Sequence, residues 1–179
     1  MAALIAALPV ASAEQPQVAA APVPEQIAAA KKVFVSNAGA DAAATLSLKE
    51  IGDSNRAYSL LYAGVKNWGR FELARAPSDA DLVLEIGYSS PLASCVPIPG
   101  FDQQLNLTIL DGSTHFILWA LNQGIEGANR KATWEKNLAQ AIDNLIAGLK
   151  ALVTQPPAAS GGHKPRLRSA AFYEHDSGR

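Results

Sequence analysis

The chain has 179 residues, 49% hydrophobic and 17% charged, which fits one globular domain with tails and excludes a wholly disordered chain. Its formal net charge of -1 gives no global field to select nucleic acid or an acidic membrane. A single cysteine, Cys95, excludes an internal disulfide framework, so the fold must rest on its core.

Residues 2–10 form an apolar stretch, followed by Ala11-Ser12-Ala13 and then Glu14. Small residues at the -3 and -1 positions suit signal-peptidase pockets, which predicts residues 1–13 as a signal peptide cleaved after Ala13. The stretch is too short to span a bilayer, so no transmembrane span is expected in the mature chain. No Lys or Arg precedes it. Either the free amino terminus supplies the positive charge, or the start lies upstream. The alternative is an Ala-rich tail. On the signal reading the protein is exported, to the periplasm or beyond.

Residues 14–24 are Ala, Pro, Gln and Val without a period, as in a linker. Residues 25–153 are predicted as a single α/β domain. Glu25 to Ala30 can add one helical turn. Lys31 to Asn37 is a strand by its Val and Phe content, and Asn-Ala-Gly closes it. Ala38 to Gly52 reads as a small-residue loop.

A helix is predicted from about Ser54 to Trp68, because Ala57, Leu60, Leu61, Gly64, Val65 and Trp68 recur at three and four. Asp53 or Ser54 is placed as its N-cap and Gly69 as its left-handed terminator. Arg70 to Ala74 reads as a short strand, Pro77-Ser78-Asp79 as a turn and Asp81 to Tyr88 as a strand. Ser89 to Gly100, with three prolines and Cys95, reads as a loop.

Gln103 to Leu110 and His115 to Gly124 form a hairpin. Leu105, Leu107 and Ile109 line one face of its first strand, and Ile117, Trp119 and Leu121 one face of its second. Asp111-Gly112 supplies tolerance of positive φ at the turn. Apolar residues on both faces predict a central place in the sheet. A last helix runs from about Thr133, its expected N-cap, to Val153. Residues 154–179 read as a disordered tail. Its Lys164, Arg166 and Arg168 can attract anionic polymer only weakly. The fold class is therefore α/β (an α+β sandwich). It has a mixed, largely antiparallel sheet of about four to five strands packed by two main helices.

Several segments resemble a group of uncharacterised exported bacterial proteins of an acidobacterial type. They are Lys32–Asp41, Arg56–Arg70, Ser78–Glu85 and Leu107–Trp119. More distantly, two features are similar to periplasmic domains of the TolB N-terminal, CsgG and LpoB type. One is Asp111 and Thr114 turning into Leu118-Trp119; the other is the strand Ala80-Asp81-Leu82-Val83. The resemblance implies a module for protein contacts in envelope assemblies. This chain lacks the lipobox cysteine and partner domains of many such relatives, so their partners and roles do not transfer.

Chemistry-bearing constellations are few. His115, His163 and His175 are far apart, and no Cys/His/carboxylate cluster has metal-ligand spacing, so no metal and no cofactor are expected. No nucleophile elbow, phosphate loop or dinucleotide turn occurs, and no catalytic residue is assigned. The candidate ligand-binding residues are Asn37, Gly39 and Asp41, directly after a strand, where open α/β folds tend to bind ligands. Turn capping is the plainer role for Asn37 and Asp41. Asp79 and Asp81 read as turn caps, and Glu85 as a partner for Arg70 or Arg75. Tyr58, Tyr62, Trp68 and Trp134 read as core or its edge. The resulting expectation is a non-enzymatic envelope module that contacts a protein or a cell-wall polymer and no nucleic acid. The alternative is a small ligand-binding protein or enzyme using the loop after the first strand.

Overall fold

The computed structural model describes residues 21–41, 44, 53, 55–90 and 103–155. The signal segment with Ala13, Cys95, His163, His175 and the basic tail residues lie outside them.

Among the described residues, five strands form one sheet. β1 is Lys32–Ala40, β2 Glu72–Leu73, β3 Leu82–Ser89, β4 Gln103–Asp111 and β5 Ile117–Ile125, in the spatial order β2-β1-β3-β4-β5. β1 is parallel to both β2 and β3, whereas β3–β4 and β4–β5 are antiparallel. The helices are α1, Glu25–Ala29; α2, Arg56–Trp68; and α3, Lys131–Thr154. This is the mixed α/β arrangement that the sequence predicts.

The core lies between one sheet face and the helices. Val35, Leu84, Ile109 and Trp119 are neighbours across the strands, as are Ile86, Leu107 and Leu121. α2 buries Ala57, Leu61 and Val65, and α3 buries Trp134, Leu138, Ala141, Ile142, Leu145, Ile146, Leu149 and Leu152 against them. Each fully buried Leu or Ile contributes about 1.5–3 kcal/mol. The short α1 owes its place to Ile27, which has no solvent exposure. Val23, inside the segment read as linker, also belongs to this core.

α2 ends at Gly69, whose φ of 69° is the left-handed conformation that releases the chain toward β2. Trp68 meets Phe71 edge-to-face at 5.2 Å across that turn. The N-caps differ from expectation. The residue before α2 is Asn55, in helical conformation and without a side-chain cap bond. Asp53 acts one step earlier, its Oδ1 accepting from the Asn55 backbone N–H at 2.8 Å. Ahead of α3 the extended residue is Arg130, so Thr133 lies inside the first turn.

The hairpin departs further. β5 is an edge strand, not a central one. Ile109 pairs with Trp119 but Leu110 with Ile117, so Leu118 is the extra residue of a β-bulge. The bulge turns Ile117 away from the face of Trp119 and Leu121, leaving it 67% exposed. At the turn, His115 carries the positive φ, 57°. Gly112 has a different reason for being glycine. It packs flat on the Ala80–Asp81 backbone, where a Cβ would overlap the Ala80 carbonyl oxygen.

The opposite sheet face has no helix on it among the described residues. Its rows, read across β1, β3, β4 and β5, are Phe34–Val83–Leu110–Ile117 and Ser36–Glu85–Thr108–Ala120. Beyond them, Gly87, Asn106 and Asn122 are neighbours across β3, β4 and β5. The first row is apolar and the others mostly polar.

Candidate functional site

Asn37, Gly39 and Asp41 do not form a loop. β1 continues through Ala40, with an irregularity between Asn37 and Gly39. Gly39 takes φ 77° there, which a side chain would oppose even though space for a Cβ exists. Asn37 Oδ1 accepts from the Gly39 N–H at 2.9 Å, and its Nδ2 donates to Asn55 Oδ1 at 2.9 Å. Asn55 Nδ2 in turn donates to Asp53 Oδ1 at 3.1 Å. Asp41 Oδ1 accepts from the Ala44 N–H at 2.7 Å, and Oδ2 from the Ser90 N–H at 3.1 Å. These bonds tie the end of β1 to the start of α2 and the end of β3.

The same end of the sheet holds a residue that the sequence reading used only as strand pattern. Tyr88 is 3% exposed, and its hydroxyl makes no hydrogen bond among the described residues. The Ala57 N–H, in the first turn of α2, faces this oxygen and favours its ionised form, a smaller effect than burial. Burial pushes the Tyr88 phenol above the ordinary tyrosine value, so it stays protonated. Arg56 Nε donates to Glu135 Oε2 at 2.9 Å nearby, joining α2 to α3. Trp134 Nε1 donates to Gln103 Oε1 at 3.1 Å, which satisfies two buried groups together. The available signal was a tyrosine at an inward strand position, whose polar tip needs a partner.

At the opposite end, Lys31, Asp81, Asp111 and Ser113 help to line a cavity of about 520 Å³. Asp81 Oδ2 accepts from the backbone N–H of Lys31 at 2.8 Å and of Lys32 at 2.9 Å. These two bonds hold its carboxyl below the usual carboxylate range. Asp111 Oδ1 accepts from the hydroxyl and N–H of both Ser113 and Thr114, at 2.6–3.0 Å. Those bonds, that of the Ser113 hydroxyl first, lower it to about 2. Both carboxylates thus fasten backbone turns. Asp79, in the 3-10 turn Pro77–Asp79, accepts from Ser78 Oγ at 3.3 Å.

Other expectations resolve plainly. Glu85 makes no ion pair with Arg70 or Arg75; it stands on the helix-free face, and Arg70 Nη2 donates to the Ala28 carbonyl at 3.0 Å. Trp134 is core, Trp68 packs at the core edge beneath Lys150, and Tyr62 is 38% exposed. Among the described residues, no three His, Cys, Asp or Glu side chains gather as a metal site. No described helix is long and apolar enough to cross a membrane.

No family model matches the chain, and no curated protein matches it. Solved structures similar to it include a PelC dodecamer from Paraburkholderia phytofirmans. That likeness has 15% identity, covers 66% of this chain and 87% of that one, and has a TM-score of 0.46. Protein XCC0632 from Xanthomonas campestris, of family DUF330, is 13% identical over 69% of this chain and 84% of its own, with a TM-score of 0.41. Lipoprotein GNA1162 from Neisseria meningitidis is 15% identical over 66% and 99%, with a TM-score of 0.35. Likenesses at this level assign neither a family nor a role.

Proposed function

We propose that this chain is a non-enzymatic accessory module of the cell envelope that binds another protein through the helix-free face of its sheet. The observation carrying this reading is the apolar row Phe34–Val83–Leu110–Ile117 on that face. It ends at Ile117, which is 67% exposed, and the adjoining Phe116 is 74% exposed. Large apolar side chains grouped at a surface mark interaction sites more often than isolated ones do. The envelope location rests on the Ala11-Ser12-Ala13 cleavage pattern and on the resemblance of Asp111, Thr114, Leu118 and Trp119 to periplasmic domains.

The test is affinity capture from envelope extract at physiological salt. Wild type should retain a specific partner. Phe116→Ser with Ile117→Ser should lose it while the unfolding midpoint stays unchanged. Absence of any specific partner for wild type rejects the reading.

The unpartnered hydroxyl of Tyr88 favours a second reading, in which a small molecule binds beside Asn37, Gly39 and Asp41. On that reading Tyr88→Phe weakens binding of a metabolite without lowering stability. A metabolite screen by thermal shift that is indifferent to Tyr88→Phe removes it.

A further inference from the structure

Among the described residues no strand pairs with the outer edge of β5, and this edge is separate from the face discussed above. An edge strand presents unpaired N–H and C=O groups, and proteins normally guard it with charge, proline or a very short strand. The other edge is guarded in this way: β2 has two residues, and Glu72 there pairs with Lys32 at 3.5 Å. β5 has nine residues, Ile-Leu-Trp-Ala-Leu-Asn-Gln-Gly-Ile, with neither a charge nor a proline. Its bulge lies at Leu118, so Trp119 to Ile125 runs in regular register with β4. Trp119 and Leu121 pack against the core yet remain partly exposed at this edge.

We infer that β5 pairs with β5 of a second copy of this chain, antiparallel about a two-fold axis near Leu121. Three features of the strand and the sheet select a second copy. A strand without charge meets its own copy with no like-charge repulsion. Head-to-tail pairing of β5 with β2 would offer only two residues of ladder, whereas β5 on β5 about Leu121 offers the regular run 119–123 from each copy. The two-fold arrangement also closes, leaving two short β2 edges outermost and preventing open filaments. With the axis at Leu121, that residue lies beside its own copy on the helix-covered face. Ala120 lies beside Asn122 of the copy on the other face. Leu121 gains an apolar neighbour in its own copy, while Trp119 lies beside Gln123 of the copy, which extends over the half-covered ring.

The test uses the full chain, sedimentation equilibrium from about 1 µM to about 100 µM, and charges at the exposed positions 120 and 122. Wild type should sediment as a dimer. Ala120→Lys/Asn122→Lys and Ala120→Glu/Asn122→Glu should each raise the dissociation constant by about tenfold or more, with circular dichroism unchanged. An equimolar mixture of the two variants should restore the dimer, because Lys then faces Glu. A monomeric wild type over the whole range overturns the inference, whether or not it captures another partner. A dimer that persists in both charged variants, or a mixture that stays monomeric, overturns it too.

Discussion

Gly112 lies against Ala80 so closely that a Cβ on the glycine would overlap the Ala80 carbonyl oxygen. The Gly112 N–H also donates to the Asp81 carbonyl at 2.9 Å, which locks the hairpin turn to the segment entering β3.

Gly112→Ala should therefore destabilise the protein by about 1–3 kcal/mol, since backbone has to move. Gly64→Ala is the comparison. There the added Cβ meets the Cδ1 end of Ile146, which can rotate, and the helix gains about 1 kcal/mol in propensity. Urea unfolding midpoints should fall clearly for Gly112→Ala and change little for Gly64→Ala. Equal losses contradict this account.

Leu145 is 2% exposed in α3, whereas Trp119 on β5 is only half-buried. Leu145→Ala should cost about 2–5 kcal/mol. Trp119→Ala should cost less, despite removing more atoms, because its edge already meets water. Thermal or urea denaturation of the two variants gives the order directly.

Tyr88→Phe should leave stability equal or raise it by up to about 1 kcal/mol, because the hydroxyl removed is buried without a partner. A loss above about 1 kcal/mol would mean that a buried water serves the hydroxyl.

Asp81 and Asp111 have folded-state pKa values below the carboxylate norm, the latter at about 2. A depressed value means that the contribution is present above the unfolded pKa, near 4, and is lost as pH falls through the folded value. Stability should decline between pH about 4 and about 2 as these two carboxylates take up protons. In Asp81→Asn/Asp111→Asn the midpoint should start lower at neutral pH and show a flatter decline. Parallel profiles for wild type and variant would remove these carboxylates from the acid response.

The α2 stripe and Gly69 were plain in the sequence because a helix repeats its signal over several turns. The start of α3 was not: Arg130 precedes it without a side-chain cap bond, so Thr133 drew the boundary inward. By residue type β1 stops at Asn37, since Asn-Ala-Gly usually ends strands. The left-handed Gly39 instead absorbs an irregularity, and the ladder resumes at Gly39 with Gly87. The hairpin misled for a related reason. A bulge at Leu118 shifts the alternation, so an edge strand carries apolar residues on both faces and imitates a central one. The candidate trio at the end of β1 was legible as residue types, but its bonds to Asn55, Ala44 and Ser90 come from segments distant in order or hidden by the loop assignment. Tyr88 was missed because an alternation pattern gives the direction of a side chain and nothing about its hydroxyl.

The order β2-β1-β3 has a temporal side. During synthesis β1 emerges before both of its neighbours, with α2 and the whole β2 turn still to come. β3, β4 and β5, in contrast, follow one another and pair in sequence. Closing a long chain segment is slow compared with forming an adjacent hairpin. The C-terminal three strands can thus assemble as a template before the first strand slots in between β2 and β3. Until it does, the β3 flank stands open, and a chaperone that shields this edge would act on the newborn chain at its most adhesive moment.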